Sequence, residues 1–243
     1  MRFLVVAVLV LSCGLSLAED FPEDTDEIKS LTAEQAAELV TKSIGNLVLD
    51  GLTSIDKDVA HELAKFEGLS LYLEGLTSID KGVAQELAKV KVELYLGGLT
   101  SIDKDVAQEL AKSKGWHLSL YGLTSIDKDV AQELAKFKGQ ILYLYGLTSI
   151  DKDIAQELAK FKKNLYLDGL TSIDKDVAHE LAKVEGWYLS LNGLTSIDKD
   201  VAQELGKTKV SGLFLDGLKS IDKDVLKILK SNPKIQLPEE YRD

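Results

Sequence analysis

The chain is short of the residues that staple, bend or anchor most proteins. Of its 243 residues, three are proline, three are histidine and one is cysteine. A lone cysteine, Cys13, excludes an internal disulfide and any thiolate metal cluster, so the fold must hold by packing alone. Pro22, Pro233 and Pro238 leave the whole span 23–232 with its backbone amide donors intact. The three histidines are scattered, and no nucleophile–base–orienter set can be assembled around them. Cationic charge is in deficit as well: 29 Lys and Arg against 40 Asp and Glu give a net charge of -11 and a pI near 4.9. That balance argues against nucleic acid as a partner, because phosphate binding needs a basic patch. The Asp and Lys residues are interspersed, which makes a soluble mixed surface and not an acidic block.

Only one long apolar run exists, at the N-terminus. Residues 1–18, MRFLVVAVLVLSCGLSLA, carry one Arg, an apolar stretch and a small-residue ending at Ser16-Leu17-Ala18, the grammar of a secretory signal peptide. Cleavage after Ala18 would leave no cysteine. Alternatively Val10-Leu11-Ser12-Cys13 would serve as a lipoprotein box, and a membrane association is expected only if Cys13 is acylated. Residues 19–27, EDFPEDTDE, read as an acidic spacer.

What the chain has in abundance is one phrase, GLTSIDKDVAQELAK. Its leading glycine recurs at Gly51, Gly75, Gly98, Gly122, Gly146, Gly169, Gly193 and Gly217, at a spacing of 24 or 23 residues. A fixed period of this size marks a solenoid of stacked supersecondary units. In the copy from Leu165 to Lys183, Leu165 and Leu167 alternate with Tyr166 and Asp168, the period of a strand with one buried face. Asp168-Gly169 supplies a turn, and Leu170 and Ile173 turn inward around Thr171-Ser172. A helix of about nine residues should follow, with Val177, Ala178, Leu181 and Ala182 on its core stripe and Asp174 or Ser172 as cap. Such a helix is marginal in isolation, so stacking must supply its partner through parallel strand pairing at about 4.8 Å per coil. Eight coils at that spacing make a body on the order of 40 Å long. The alanines of the stripe imply close helix-to-sheet packing.

The ends depart from the copy, as caps of a stacked array must. Ile28 to Thr41 match the repeat at an offset of 24, and Thr32 with Gln35 forms a capping-box pattern. At the other end Leu226 replaces an alanine, Pro233 stops the helix, and Ile235 and Leu237 suit a last short strand. The organisation expected is therefore a signal peptide at 1–18, a spacer at 19–27, a cap repeat at 28–45, a solenoid at 46–231 and a C-terminal cap and tail at 232–243.

The pattern LxLxGLTSI followed by a helix rich in Ala and Leu resembles bacterial leucine-rich repeats, nearest to the BspA-like and GLTSL-type repeats of exported proteins. Two departures stand out. The usual turn asparagine is Leu here (Leu52, Leu76, Leu170), and an Ala-Phe-x-x-Cys ending is absent. The resemblance implies an α/β solenoid with a parallel sheet on its concave face, and recognition on that face. It implies no catalytic residue, cofactor or metal.

Specificity belongs to the positions that vary while the rest is copied. Three residues before each glycine stand Val48, Tyr72, Tyr95, Ser119, Tyr143, Tyr166, Ser190 and Phe214. One residue before it stand Asp50, Glu74, Gly97, Tyr121, Tyr145, Asp168, Asn192 and Asp216. Five before it the set includes His117 and Tyr188, so every tyrosine except Tyr241 falls on the outward strand face. Tyr72, Tyr95, Tyr121, Tyr143, Tyr145, Tyr166 and Phe214 are thus the candidate ligand-binding surface, suited to a protein or a glycan. An alternative for the same residues is a packing ladder between coils. Trp116 and Trp187, one position further back, have the buried parity and are expected in the core. The repeated Asp-Lys-Asp (Asp103/Asp105, Asp151/Asp153) is explained by helix capping without calcium, and His61 and His179 are expected in solvent. Together these features point to an exported, non-enzymatic binding protein, or else to a structural envelope or matrix element whose repeats set length. The sequence does not specify the partner or the oligomeric state.

Overall fold

The computed structural model describes residues 25–242. The signal-peptide segment, Cys13 and most of the acidic spacer lie outside the described residues. Nine strands of two or three residues are present among them: β1 (Asn46–Val48), β2 (Ser70–Tyr72), β3 (Glu93–Tyr95), β4 (His117–Ser119), β5 (Ile141–Tyr143), β6 (Asn164–Tyr166), β7 (Tyr188–Ser190), β8 (Gly212–Phe214) and β9 (Ile235–Gln236). They form one parallel sheet in sequence order, each strand pairing with the next. Helix α1 (Ala33–Lys42) precedes β1. After each of β1 to β7 comes one seven-residue helix: α2 (Lys57–Leu63), α3 (Lys81–Leu87), α4 (Lys104–Leu110), α5 (Lys128–Leu134), α6 (Lys152–Leu158), α7 (Lys175–Leu181) and α8 (Lys199–Leu205). An eight-residue helix, α9 (Lys223–Lys230), follows β8. This is a leucine-rich-repeat solenoid: a strand layer and a helix layer, with one continuous core between them.

Each coil solves the same packing problem with the same atoms. Leu47, Leu49, Leu52, Val59, Ala60 and Leu63 of the first coil are all buried, and so are their counterparts in every later one except Leu226 of the last, which is half-buried. Burial of one such leucine stabilises by about 1.5–3 kcal/mol, and neighbouring coils provide the walls. The helix stripe falls where its periodicity places it. Asp174 is the cap: its carboxylate accepts from the Val177 amide at 2.8 Å, and the equivalent Asp does so in each internal helix. The helices are seven residues long, not nine. After Leu63 the chain tightens, with the Lys65 and Phe66 amides donating to the carbonyls of Glu62 and Leu63, which turns Phe66 into the core.

The leading glycine has a different cause from the turn chemistry its context suggests. Among the described residues only Gly45 has a positive φ. A Cβ on Gly146 would instead lie 2.1 Å from the Tyr121 carbonyl oxygen and 2.6 Å from that of Leu123. The glycine is there because consecutive coils touch backbone to backbone at this point. The missing turn asparagine is also accounted for. Its position is a fully buried leucine, and inter-coil bonding moves to the residue before the glycine: Asp50 Oδ1 accepts from the Glu74 amide, and Asn192 Oδ1 from the Asp216 amide, both at 2.8 Å.

The ends are capped as the sequence indicates. Thr32 and Gln35 make a reciprocal capping box at 3.2 and 3.0 Å, α9 ends before Pro233, and β9 adds to the sheet beside β8.

Candidate functional site

Parallel pairing in strict register turns the variable positions into columns. Val48 is opposite Tyr72, Tyr72 opposite Tyr95, Tyr95 opposite Ser119, and so on through Tyr143, Tyr166, Ser190 and Phe214 to Gln236. Neighbours in a column are one inter-strand spacing apart, so adjacent aromatic rings must stack or tilt past each other. Tyr72 and Tyr95 stack face to face, centroids 4.2 Å apart and planes 9° from parallel. Tyr143, Tyr145 and Tyr166 form a second group, with centroids 4.9 to 6.0 Å apart. Tyr188 and Phe214 form a third at 5.5 Å. The two serines of the column, Ser119 and Ser190, are buried between these groups.

The candidate residues are therefore gathered on one face, but unequally available. Tyr72, Tyr95, Tyr143, Tyr166 and Phe214 are half-buried, much of each ring covered by its neighbours. Tyr121 and Tyr145, nearest the glycines, are exposed at 37 and 38%. Tyr121 leans over Gly97, where a Cβ would fall 2.1 Å from its Cζ. Gly97 thus belongs to the site, and the signal for it was in view. It is the one glycine in a column otherwise made of Asp, Glu, Tyr and Asn.

Polar groups line the rings. Glu93 Oε2 accepts from Ser70 Oγ at 3.0 Å and from the Tyr95 hydroxyl at 3.1 Å. His117 Nδ1 lies 3.1 Å from Glu93 Oε1, and its ring meets Tyr143 edge-on at 5.8 Å. Burial lowers the His117 pKa, with Glu93 opposing. Burial also raises the phenol pKa of Tyr95, Tyr121 and Tyr145, reinforced by Glu93 at Tyr95 and by Glu74 at Tyr121. Neutral phenols beside carboxylates are hydrogen-bond donors and acceptors on an apolar platform. Nearer the C-terminal end Asp168 Oδ1 accepts from Ser190 Oγ and the Asn192 amide, and Asp216 pairs with Arg242. Among the described residues no cluster of three or more His, Cys, Asp or Glu could hold a metal.

One expectation needs correction and two are extended. Trp116 and Trp187 are 59 and 56% exposed, not in the core. Each follows a glycine pressed against the previous coil (Gly115 on the Val92 carbonyl, Gly186 on that of Lys163) and precedes its strand, so strand parity does not apply. His61 and His179 are half-exposed but not unpartnered: their Nδ1 atoms lie 2.9 Å from Glu86 and Glu204 of the next coil. The second Asp of Asp-Lys-Asp does more than favour its own helix. Asp105, Asp129 and Asp153 take the lysines of the preceding coil, Lys81, Lys104 and Lys128, at 3.1–3.2 Å. One feature was missed outright. The Glu of ELAK is buried in five copies (Glu86, Glu109, Glu133, Glu157 and Glu180), as is Glu204 of ELGK, all 4–7% exposed and each held by the lysine three residues on, whereas Glu62 of the first copy is half-buried.

No family model matches the chain, and no curated protein does. Among solved structures it is similar to an internalin from Listeria monocytogenes, at 17% identity over 87% of this chain and 71% of that one, with a TM-score of 0.41.

Proposed function

We propose that this chain is a non-enzymatic binding protein that engages a protein or glycan across its strand face. The observation that supports the reading is the pair Tyr121 and Tyr145. Both keep more than a third of their surface exposed, Tyr121 over Gly97 and Tyr145 at the side of its packed group, beside the carboxylates of Asp50, Glu74 and Asp168. Exposed rings carrying neutral hydroxyls give large contact area at low entropy cost. Tyr121→Ala with Tyr145→Ala should then abolish saturable binding while leaving the thermal transition nearly unchanged. Tyr72, Tyr95, Tyr143 and Tyr166 changed to Ala should lower both. Full retention of binding by the Tyr121/Tyr145 variant would refute the assignment.

A second reading has its own observation. The parallel stack of Tyr72 on Tyr95 and the mutual packing of Tyr143, Tyr145 and Tyr166 are what a purely structural ladder requires. On that reading the protein is an envelope or matrix element without a specific ligand, and pull-down from envelope extract would recover no saturable partner.

The proposal includes export, by cleavage after Ala18 or by acylation of Cys13, and a place among exported bacterial leucine-rich-repeat proteins of the GLTSL or BspA-like kind. It divides the chain into a signal peptide at 1–18, a spacer at 19–27, a cap repeat at 28–45, the solenoid at 46–231 and a C-terminal cap and tail at 232–243. Intact mass of the mature N-terminus separates the two export routes. Among the described residues no helix is long and apolar enough to cross a membrane.

A further inference from the structure

Every large exposed hydrophobic side chain among the described residues lies in one of two places. Tyr121, Tyr145 and Tyr188 are on the strand face. The other four are Ile44, Leu69, Trp116 and Trp187, exposed at 93, 68, 59 and 56%, and all stand on the edge where a helix hands over to the next strand. The backbone aligns them there: the Leu69 amide donates to the Gly45 carbonyl, and the Trp116 and Trp187 carbonyls accept from the next coil. At about 4.8 Å per coil they form a ridge roughly 30 Å long. No core, capping or coil-stacking requirement explains four such residues in water.

Charge segregates with them. The helix N-termini, with their Asp caps and Asp-Lys-Asp ladders, occupy the opposite edge. The ridge edge holds the helix C-termini and two lysine rows. The first row (Lys89, Lys112 and their equivalents) is spent on the buried glutamates. The second is exposed and carries Glu67 and Glu185 at two of its seven positions; among the described residues Lys91, Lys114 and Lys138 make no ion pair, and Lys162 and Lys209 share Glu185 at 3.9 and 3.8 Å. The net charge of -11 hides a molecule with a basic, apolar edge and an acidic one.

We propose that the ridge edge docks on an anionic lipid bilayer surface. Tryptophans settle at the interface and leucine and isoleucine enter the outer acyl region. Lysines on long stems reach the phosphates, and the acidic edge points away. A soluble polyanion would suit the lysines but has no use for Ile44 or Leu69, which favours the bilayer.

Both tryptophans of the chain lie on this edge, so intrinsic emission reports on it alone. The full chain, titrated with phosphatidylglycerol-containing vesicles, should show a blue shift and co-float with them. Pure phosphatidylcholine vesicles, or anionic vesicles at about 1 M salt, should give neither. Lys114→Ala with Lys138→Ala should weaken flotation about 25-fold, at roughly fivefold per lysine. Trp116→Ala with Trp187→Ala should weaken it about tenfold or more. Absence of flotation overturns the proposal. So does flotation without a blue shift, which would assign binding to another segment such as the apolar N-terminus. A soluble polyphosphate that binds the double tryptophan variant as tightly as the parent, and displaces the vesicles, would also overturn it and make the edge a polyanion site.

Discussion

One coil lacks a part that its neighbours have, and restoring it should stabilise the protein by a calculable amount. In α3 the second helical residue is Gly82, where the other internal helices carry Asp. Its absence breaks the inter-coil ladder at the first rung. Lys57 has no aspartate on the next coil and sits 4.0 Å from Glu86 instead, while Lys81 reaches Asp105 at 3.1 Å. The site is already shaped for the missing residue. The Asp80 cap has φ -89 and ψ 173, within a degree of the Asp103 cap at φ -90 and ψ 174, which precedes an Asp. A Cβ on Gly82 would meet Asp80 Oδ1 at 3.2 Å, which the Asp80 side chain relieves by a shift of a few tenths of an ångström, and Lys57 Cδ at an ordinary 3.6 Å. Three terms favour Gly82→Asp: a few tenths of a kcal/mol from helix propensity, about 0.3–1 kcal/mol from negative charge in the first turn, and about 0.2–1 kcal/mol from the exposed Lys57 pair. The expected sum is about 1 kcal/mol, or about 2–4 °C in Tm for a domain of this size. Equilibrium urea unfolding at low salt and again at about 1 M NaCl gives the decisive comparison, because only the propensity term survives screening. Asp105→Gly should lose a similar amount, and Lys57→Ala in the Gly82→Asp background should remove the pair contribution. A loss of stability, or a gain of equal size at both salt concentrations, would refute the reasoning.

Three further outcomes follow from the same geometry. Gly146→Ala should destabilise by about 3 kcal/mol or more, because its Cβ has only the backbone carbonyls of Tyr121 and Leu123 to displace; a urea midpoint within error of the parent would sink the close-approach argument. Asp127→Ala removes a 2.8 Å cap to the Val130 amide and should cost about 1 kcal/mol, whereas Asp127→Ser should keep most of it. Acid should weaken the fold in a defined window. The hydrogen bonds from Lys207, then His179, hold the Glu204 carboxyl at about 2 against its ordinary 4.5, and Lys89 and His61 lower that of Glu86. A carboxyl depressed in the folded state contributes fully above the unfolded value and loses that contribution as pH falls through the folded one. The urea midpoint should therefore drop between about pH 4.5 and pH 2, and Glu204→Gln should flatten part of that drop; a flat profile in the parent would count against the pairing.

Much of the solenoid was legible because each coil repeats the same local instructions. Period-two leucines, an Asp before a Val-Ala-x-x-Leu stripe, Thr32 with Gln35 and Pro233 each act within a few residues, so their consequences can be read without the rest of the molecule. The site was legible only as a set of positions. That Tyr72 lies on Tyr95 while Tyr121 leans over Gly97 depends on which coil is beside which, and on whether a neighbour offers a ring, a serine or no side chain at all.

The same boundary runs through the errors. Strand parity put Trp116 and Trp187 in the core, yet the strands begin one residue later, after glycines pressed onto the previous coil. The burial of the Glu of ELAK has no local signal, because its cover comes from neighbouring coils and its charge is met by a lysine whose stem reaches it. The leading glycine, invariant in every copy, announced that something there could not be larger. Only stacking said what: a carbonyl oxygen of the preceding coil about 2 Å from any side chain. Sequence alone thus determined the unit, its period and its caps, since these rest on interactions within one coil. The tertiary structure decided everything that depends on the distance between coils: the purpose of the glycine, the availability of each tyrosine, and the separation of a basic apolar edge from an acidic one.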